Sequence, residues 1–305
     1  MRLRLWAPRH WLMWAGLGVL RLVALLPYGA LIRLGRPLGA LLRRLPLSFA
    51  RTARRNLELC LPELSAAQRE ALLREHFTSL GIALLEIPFA WWSTPERLAK
   101  ITRFEGVEHL KAAQARGRGV ILLTAHFTSL EMAGRSLLAL APVSFLYRPT
   151  KNEVVAYALR RFRTARGGHA IPRDDIRAFI GALKNNECVW YAPDQSYRKK
   201  GAEMVPMFGI PAATNTLTSR LARTTGATVL PYFFQRLPGT QGYRAVIHPP
   251  LELSDCAAAD TERFNHMIEA QVRLAPEQYL WIHRRFKGLS EDYPDYYGRR
   301  TPQRA

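Results

Sequence analysis

The stretch Val120-Ile121-Leu122-Leu123-Thr124-Ala125-His126-Phe127-Thr128-Ser129-Leu130-Glu131 passes from a continuous apolar run into a polar loop and then into an acidic helix start. Four large apolar residues in succession suit a strand covered on both faces, as in a sheet flanked by helices. The same alternation repeats downstream. Strands are expected at Val143–Tyr147, Glu187–Tyr191, Thr228–Phe234 and Tyr243–His248. Helices are expected at Val107–Arg116, Ser129–Leu140, Glu153–Arg166, Asp174–Lys184 and Thr214–Thr224. Such alternation predicts an α/β fold with a central sheet buried between helices, whose ligands bind beyond the carboxyl ends of the strands.

Upstream, Ser65 and Gln68 form a capping-box pattern that opens a helix running to Trp92. Phe89, Trp91 and Trp92 close it, suited either to a lipid surface or to core packing. Before it, Trp11–Leu26 is apolar apart from Arg21. A sixteen-residue helix reaches only about 24 Å, short of a hydrocarbon core of about 30 Å. A membrane span extended to Leu34, an interfacial helix and a cleaved signal peptide are the competing readings, with no small-residue cleavage site to favour the last. Residues 1–35 are thus expected to form a membrane-anchoring helix, and 36–305 a catalytic domain. Arg33, Arg36, Arg43, Arg44, Arg51, Arg54 and Arg55 outnumber Arg2, Arg4 and Arg9 on the other flank, which puts the body on the cytoplasmic side.

The 305 residues carry 44 basic and 24 acidic side chains, a formal net charge of +20. That excess favours an anionic membrane, a phosphorylated lipid, an acidic carrier protein or nucleic acid. No nucleic-acid motif with ordered basic and aromatic residues accompanies it, so nucleic acid is not expected as a partner. Cys60, Cys188 and Cys256 stand far apart, which argues against a disulfide framework or zinc site and for small buried apolar residues. No metal-binding spacing, dinucleotide fingerprint or P-loop occurs, so neither a metal nor a cofactor is expected.

His126 follows the first buried strand, and Glu131 falls early in the next helix. On one continuous helix a spacing of five is about 140° out of phase. The two side chains therefore converge only with His126 in the loop and Glu131 in the first turns. Glu131 would then accept from one imidazole nitrogen and leave the other to take a proton from a substrate hydroxyl. A purely structural hydrogen bond is the competing explanation. Three further segments bring polar groups to strand ends or the tail: Tyr147-Arg148-Pro149, Tyr191-Ala192-Pro193-Asp194-Gln195 and Trp281-Ile-His-Arg-Arg-Phe-Lys287.

Together with Arg54-Arg55-Asn56-Leu57 and Val205-Pro206-Met207-Phe208-Gly209-Ile210-Pro211-Ala212, these segments resemble the bacterial lipid A late acyltransferases, the lauroyl/myristoyl transferase family. The ordered set covers nearly the whole chain and is far more specific than any member of it. The resemblance implies a glycerolipid acyltransferase-like fold with a mixed sheet at the bacterial inner membrane. It also implies transfer of a fatty acyl group from acyl carrier protein to a hydroxyl of a phosphorylated glucosamine disaccharide lipid. His126 is the expected base and Glu131 its support. Arg148 is expected on phosphate or the developing oxyanion, and Asp194 and Gln195 on the acceptor. Direct attack on the thioester is favoured over a covalent acyl-enzyme, because neither Cys188 nor Ser129 is well placed as a nucleophile. An acyl-CoA enzyme acting on a lysophospholipid or another glycolipid is the alternative.

Overall fold

The computed structural model describes residues 6–45, 48–147, 150, 152–163 and 169–298. Nine strands are found among them: β1 (Thr102–Glu105), β2 (Val120–Leu123), β3 (Val143–Tyr147), β4 (Ala170–Pro172), β5 (Cys188–Tyr191), β6 (Ala202–Met207), β7 (Ile210–Asn215), β8 (Thr228–Arg236) and β9 (Tyr243–Ile247). Seven form one sheet in the order β1-β9-β8-β2-β5-β3-β4. From β8 to β4 all neighbours run parallel, whereas β9 returns antiparallel to β8 and β1 lies parallel to β9. The sheet is therefore mixed, as expected. β2 lies at its centre, between β8 and β5, and all four of its residues are buried. Ile121 and Leu123 enter one hydrophobic core, Val120 and Leu122 the other. That alternation is the period-two geometry of a strand covered on both faces.

Eleven helices accompany the sheet among the described residues: α1 (Trp11–Val23), α2 (Tyr28–Arg44), α3 (Ser48–Cys60), α4 (Ala66–Trp92), α5 (Pro95–Ala99), α6 (Val107–Ala115), α7 (Leu130–Leu137), α8 (Glu153–Arg163), α9 (Ile176–Lys184), α10 (Leu217–Thr225) and α11 (Ala257–Leu274). The capping box expected at α4 is present, with Ser65 accepting from the Gln68 N–H and Gln68 from the Ser65 N–H. The motif Val205–Ala212 proves to be a hairpin of β6 and β7, with Phe208 and Gly209 in its two-residue turn, both at positive φ. Such a turn matches the twist of the strands it joins.

The N-terminal segment differs from the membrane span considered for it. Among the described residues no helix is long and apolar enough to cross a membrane. The run from Trp11 is interrupted between Val23 and Tyr28, because Pro27 lacks an N–H and disfavours helical geometry at Leu26. α2, which contains the boundary expected between residues 35 and 36, buries Leu31, Ile32, Gly35 and Gly39. A Cβ on Gly81 of α4 would stand 2.2 Å from the Gly35 carbonyl oxygen and 2.3 Å from the Gly39 nitrogen. Only glycine permits so close a helix contact. α1 instead leaves Trp11, Leu12, Val19 and Leu22 exposed.

Candidate active site

β2 ends at Leu123, and the chain then turns so that His126 lies beyond the carboxyl edge of the sheet. β5, the neighbour of β2, ends at Tyr191 and delivers Asp194 to the same place. Asp194 Oδ1 lies 2.6 Å from His126 Nδ1, and Oδ2 accepts the His126 backbone N–H at 2.9 Å. The Tyr279 hydroxyl donates to Oδ2 at 3.1 Å. Asp194 is almost fully buried, whereas 22% of the His126 side chain stays exposed.

The electrostatics follow from that pairing. Burial penalises the His126 imidazolium, but the Asp194 charge and hydrogen bond outweigh it and raise the imidazole pKa. For Asp194, burial favours the neutral acid, yet His126 and the buried Arg285 hold the carboxyl below its usual range. With Nδ1–H donating to Asp194, the neutral ring presents Nε2 as its acceptor.

The His126 loop is clamped by the chain after α11. Thr128 N–H donates to the Gln278 carbonyl at 2.7 Å and Leu280 N–H to the His126 carbonyl at 3.0 Å, on either side of a bridge between Phe127 and Tyr279. The Gln278 side chain in turn accepts the Arg236 N–H and donates to the Arg236 carbonyl. Asn56 donates to the carbonyls of Trp281 and His283, which gives the Arg54–Leu57 motif a structural purpose.

Glu131 departs from the sequence expectation. The carboxylate on the His126 ring belongs to Asp194, not Glu131. Glu131 sits in the first turn of α7, and its Oε2 accepts the Trp91 indole N–H at 2.9 Å. The loop between them, pinned by Gln278 and Leu280, lets the imidazole face the end of β5 while Glu131 faces the end of α4. Gln195 lines the cavity described below. Arg148 lies outside the described residues. In the tail, Arg285 is buried and donates to the Ala213 carbonyl and the Thr214 hydroxyl. His283 Nε2 accepts the Ser196 N–H. These two residues of the basic cluster thus brace the site from inside. Tyr279 had no sequence signal beyond standing two residues ahead of the Trp281–Lys287 motif.

His126 opens onto a cavity of about 310 Å³ whose walls include Leu130, Phe145, Tyr147, Trp190, Tyr191 and Tyr197. Leu130, Phe145, Leu146 and Trp190 give one part of it apolar walls suited to a hydrocarbon chain, while Arg173, Asp174, Gln195, Ser196 and Asn215 bring polar groups suited to the polar part of a substrate. The candidate nucleophiles are poorly placed to react. Cys188 is buried, which pushes its thiol up to about 11. Ser129 is buried as well, with no hydrogen-bond partner for its hydroxyl among the described residues.

A family model described as bacterial lipid A biosynthesis acyltransferase matches residues 2–288. The chain is 42% identical over 282 residues to the lipid A biosynthesis palmitoleoyltransferase of Escherichia coli strain K12, covering 92% of each protein. Identity to the lipid A biosynthesis lauroyltransferase of the same strain is 39% over 294 residues, covering 95% of this chain and 96% of that one. The myristoyltransferase of that strain is 29% identical over 285 residues, covering 90% of this chain and 86% of its own.

Proposed function

The chain belongs to the bacterial lipid A biosynthesis acyltransferases, and from that premise we propose that it moves a fatty acyl group from acyl carrier protein to a lipid A precursor. The acceptor is a hydroxyl of a phosphorylated glucosamine disaccharide lipid, and His126 is the general base. One observation carries this assignment: a partly exposed imidazole, paired through Nδ1 with buried Asp194, at the rim of a cavity with aromatic and polar walls.

In this mechanism the acceptor oxygen attacks the thioester carbonyl carbon as His126 Nε2 takes its proton. The tetrahedral intermediate then expels the carrier thiolate, which receives that proton from the imidazolium. Asp194 fixes the tautomer and stabilises the charge that forms on the ring. General-base help of this kind contributes about 10²–10⁴-fold. No covalent acyl-enzyme is needed, consistent with the burial of Cys188 and Ser129. No cofactor enters, because the thioester already carries the activation. Gln195 at the cavity wall and Arg148 just after β3 are assigned to the acceptor, and Glu131 to the support of the adjoining wall.

The protein is assigned to the cytoplasmic face of the bacterial inner membrane, with α1 lying in the interface. Exposed Trp11, Leu12, Val19 and Leu22 provide apolar area, and Arg33, Arg36, Arg44 and Arg51 are exposed close behind it in the chain. Mass spectrometry of the lipid made from defined acyl-carrier-protein donors tests the reaction. One added acyl ester on the disaccharide lipid is the expected product. Preference for acyl-CoA with a lysophospholipid would overturn the donor and acceptor assignments.

A further inference from the structure

Behind the His126 cavity lies a second, smaller one. It is bounded by Trp91, Glu131, Gly134, Arg135, Leu138 and Phe162, and it shares Phe145 and Trp190 with the first. These two rings meet edge to face, with centroids 5.7 Å apart and planes at 85°. They are the wall between the cavities. α7 presses on that wall from behind. A Cβ on Gly134 would come within 2.8 Å of the Trp190 ring and 3.3 Å of the Phe145 ring. The buried Trp190 indole N–H has no hydrogen-bond partner among the described residues, so packing rather than a polar anchor holds the ring.

The rear cavity holds about 20 Å³ and has aromatic rings along one side. Trp91 and Phe162 stack at 4.9 Å and 13° along one side. Its polar groups are engaged, Glu131 with the Trp91 indole and Arg135 with the Phe162 carbonyl. Trp190 also lies on β5, whose end delivers Asp194. The depth of the wall is thus fixed relative to the reacting centre by a few residues of one strand.

We propose that Trp190, backed by Gly134 and braced by Phe145, is the partition that limits how long an acyl chain the His126 cavity accepts. This inference rests on the acyltransferase mechanism proposed above. A chain whose terminal methyl reaches Trp190 packs against the ring. One longer by two methylenes must displace it or leave carbon outside the cavity. Each methylene in an apolar site is worth a discrimination of about 10–200-fold.

The test uses the full chain and saturated acyl-carrier-protein donors differing in steps of two methylenes, with kcat/KM measured for each. Trp190→Ala joins the cavities and is expected to move the optimum at least one step longer, changing the long-to-short ratio by about tenfold or more. Gly134→Ala pushes the ring into the front cavity and is expected to move the optimum shorter. Should Trp190→Ala fail to fold, Trp190→Phe carries the test, with a smaller shift in the same direction. Variants that fold and lower every donor by one common factor would overturn the partition. A wild-type protein that uses only acyl-CoA overturns the donor assignment instead, and the same ladder is then read on CoA thioesters.

Discussion

Asp194 holds His126 at two points, through the backbone N–H at 2.9 Å and through ring Nδ1 at 2.6 Å. The first contact fixes where the residue stands, and the second fixes the tautomer. Both come from a single buried carboxylate that is itself held by Tyr279. Removing its charge should therefore alter chemistry without dismantling the loop.

Asp194→Asn is predicted to lower kcat by about 10²-fold or more, in the range of general-base contributions. It should also move the acidic limb of the pH profile. In the wild type the imidazole pKa lies above its ordinary 6.5 because the Asp194 charge favours the imidazolium. The base is free only above that pKa, so the rate rises with pH through it. Without the charge the limb should shift to lower pH, even as the maximum falls. A pH–rate series on both proteins checks this.

Tyr279→Phe removes the hydroxyl that donates to Asp194 Oδ2. A hydrogen bond to a charged group contributes about 1.5–3 kcal/mol, so kcat should fall by about 10–150-fold with KM little changed. A role confined to packing would lower the melting midpoint and spare kcat. Steady-state kinetics beside a thermal melt separate the two.

Arg236 and Glu86 are both buried and pair bidentately, at 2.6 Å through Nε and 2.7 Å through Nη2, with Ser79 on the remaining Nη1. Arg236→Met leaves the Glu86 charge buried without its partner and should cost about 3–5 kcal/mol of stability. The double variant Arg236→Met with Glu86→Leu should recover most of it. Urea unfolding of the single and double variants is the check.

His76 is fully buried, and its Nδ1 lies 3.0 Å from the Glu277 carbonyl, with burial lowering its pKa to about 4. Between pH 6.5 and 4 the unfolded chain binds a proton there that the folded chain does not. Stability is therefore full above 6.5 and falls as the pH drops, by about 3 kcal/mol from this residue once pH 4 is reached. His283, lowered to about 4 chiefly by burial, adds to the loss in the same window. Unfolding free energies measured at stepped pH should show the slope, and His76→Gln should flatten it.

Much of the sheet was legible because both faces are buried. β2, β3, β5 and β8 lie where largely apolar runs placed them, within a residue or two, and β9 does so despite the exposed Arg244 in its middle. The short edge strands β1 and β4 carry too little pattern to announce themselves, and the hairpin of β6 and β7 was visible only as a motif. The break between α1 and α2 was written in Pro27 but outweighed by the length of the apolar run. At the site, position along the chain indicated which residues reach the strand ends, but not which carboxylate meets the imidazole. Glu131 is five residues from His126 and turns away, whereas Asp194 is far off in sequence. It arrives through the parallel pairing of β2 with β5, a long-range register that no local spacing encodes.

The central claim is that His126 is the base for acyl transfer. Single-turnover transfer by His126→Ala, from an acyl-carrier-protein donor to the phosphorylated disaccharide lipid, tests it most directly. The predicted result is a rate lower by about 10²–10⁴-fold with the melting midpoint preserved. A well-folded His126→Ala protein that transfers at the wild-type rate would contradict it.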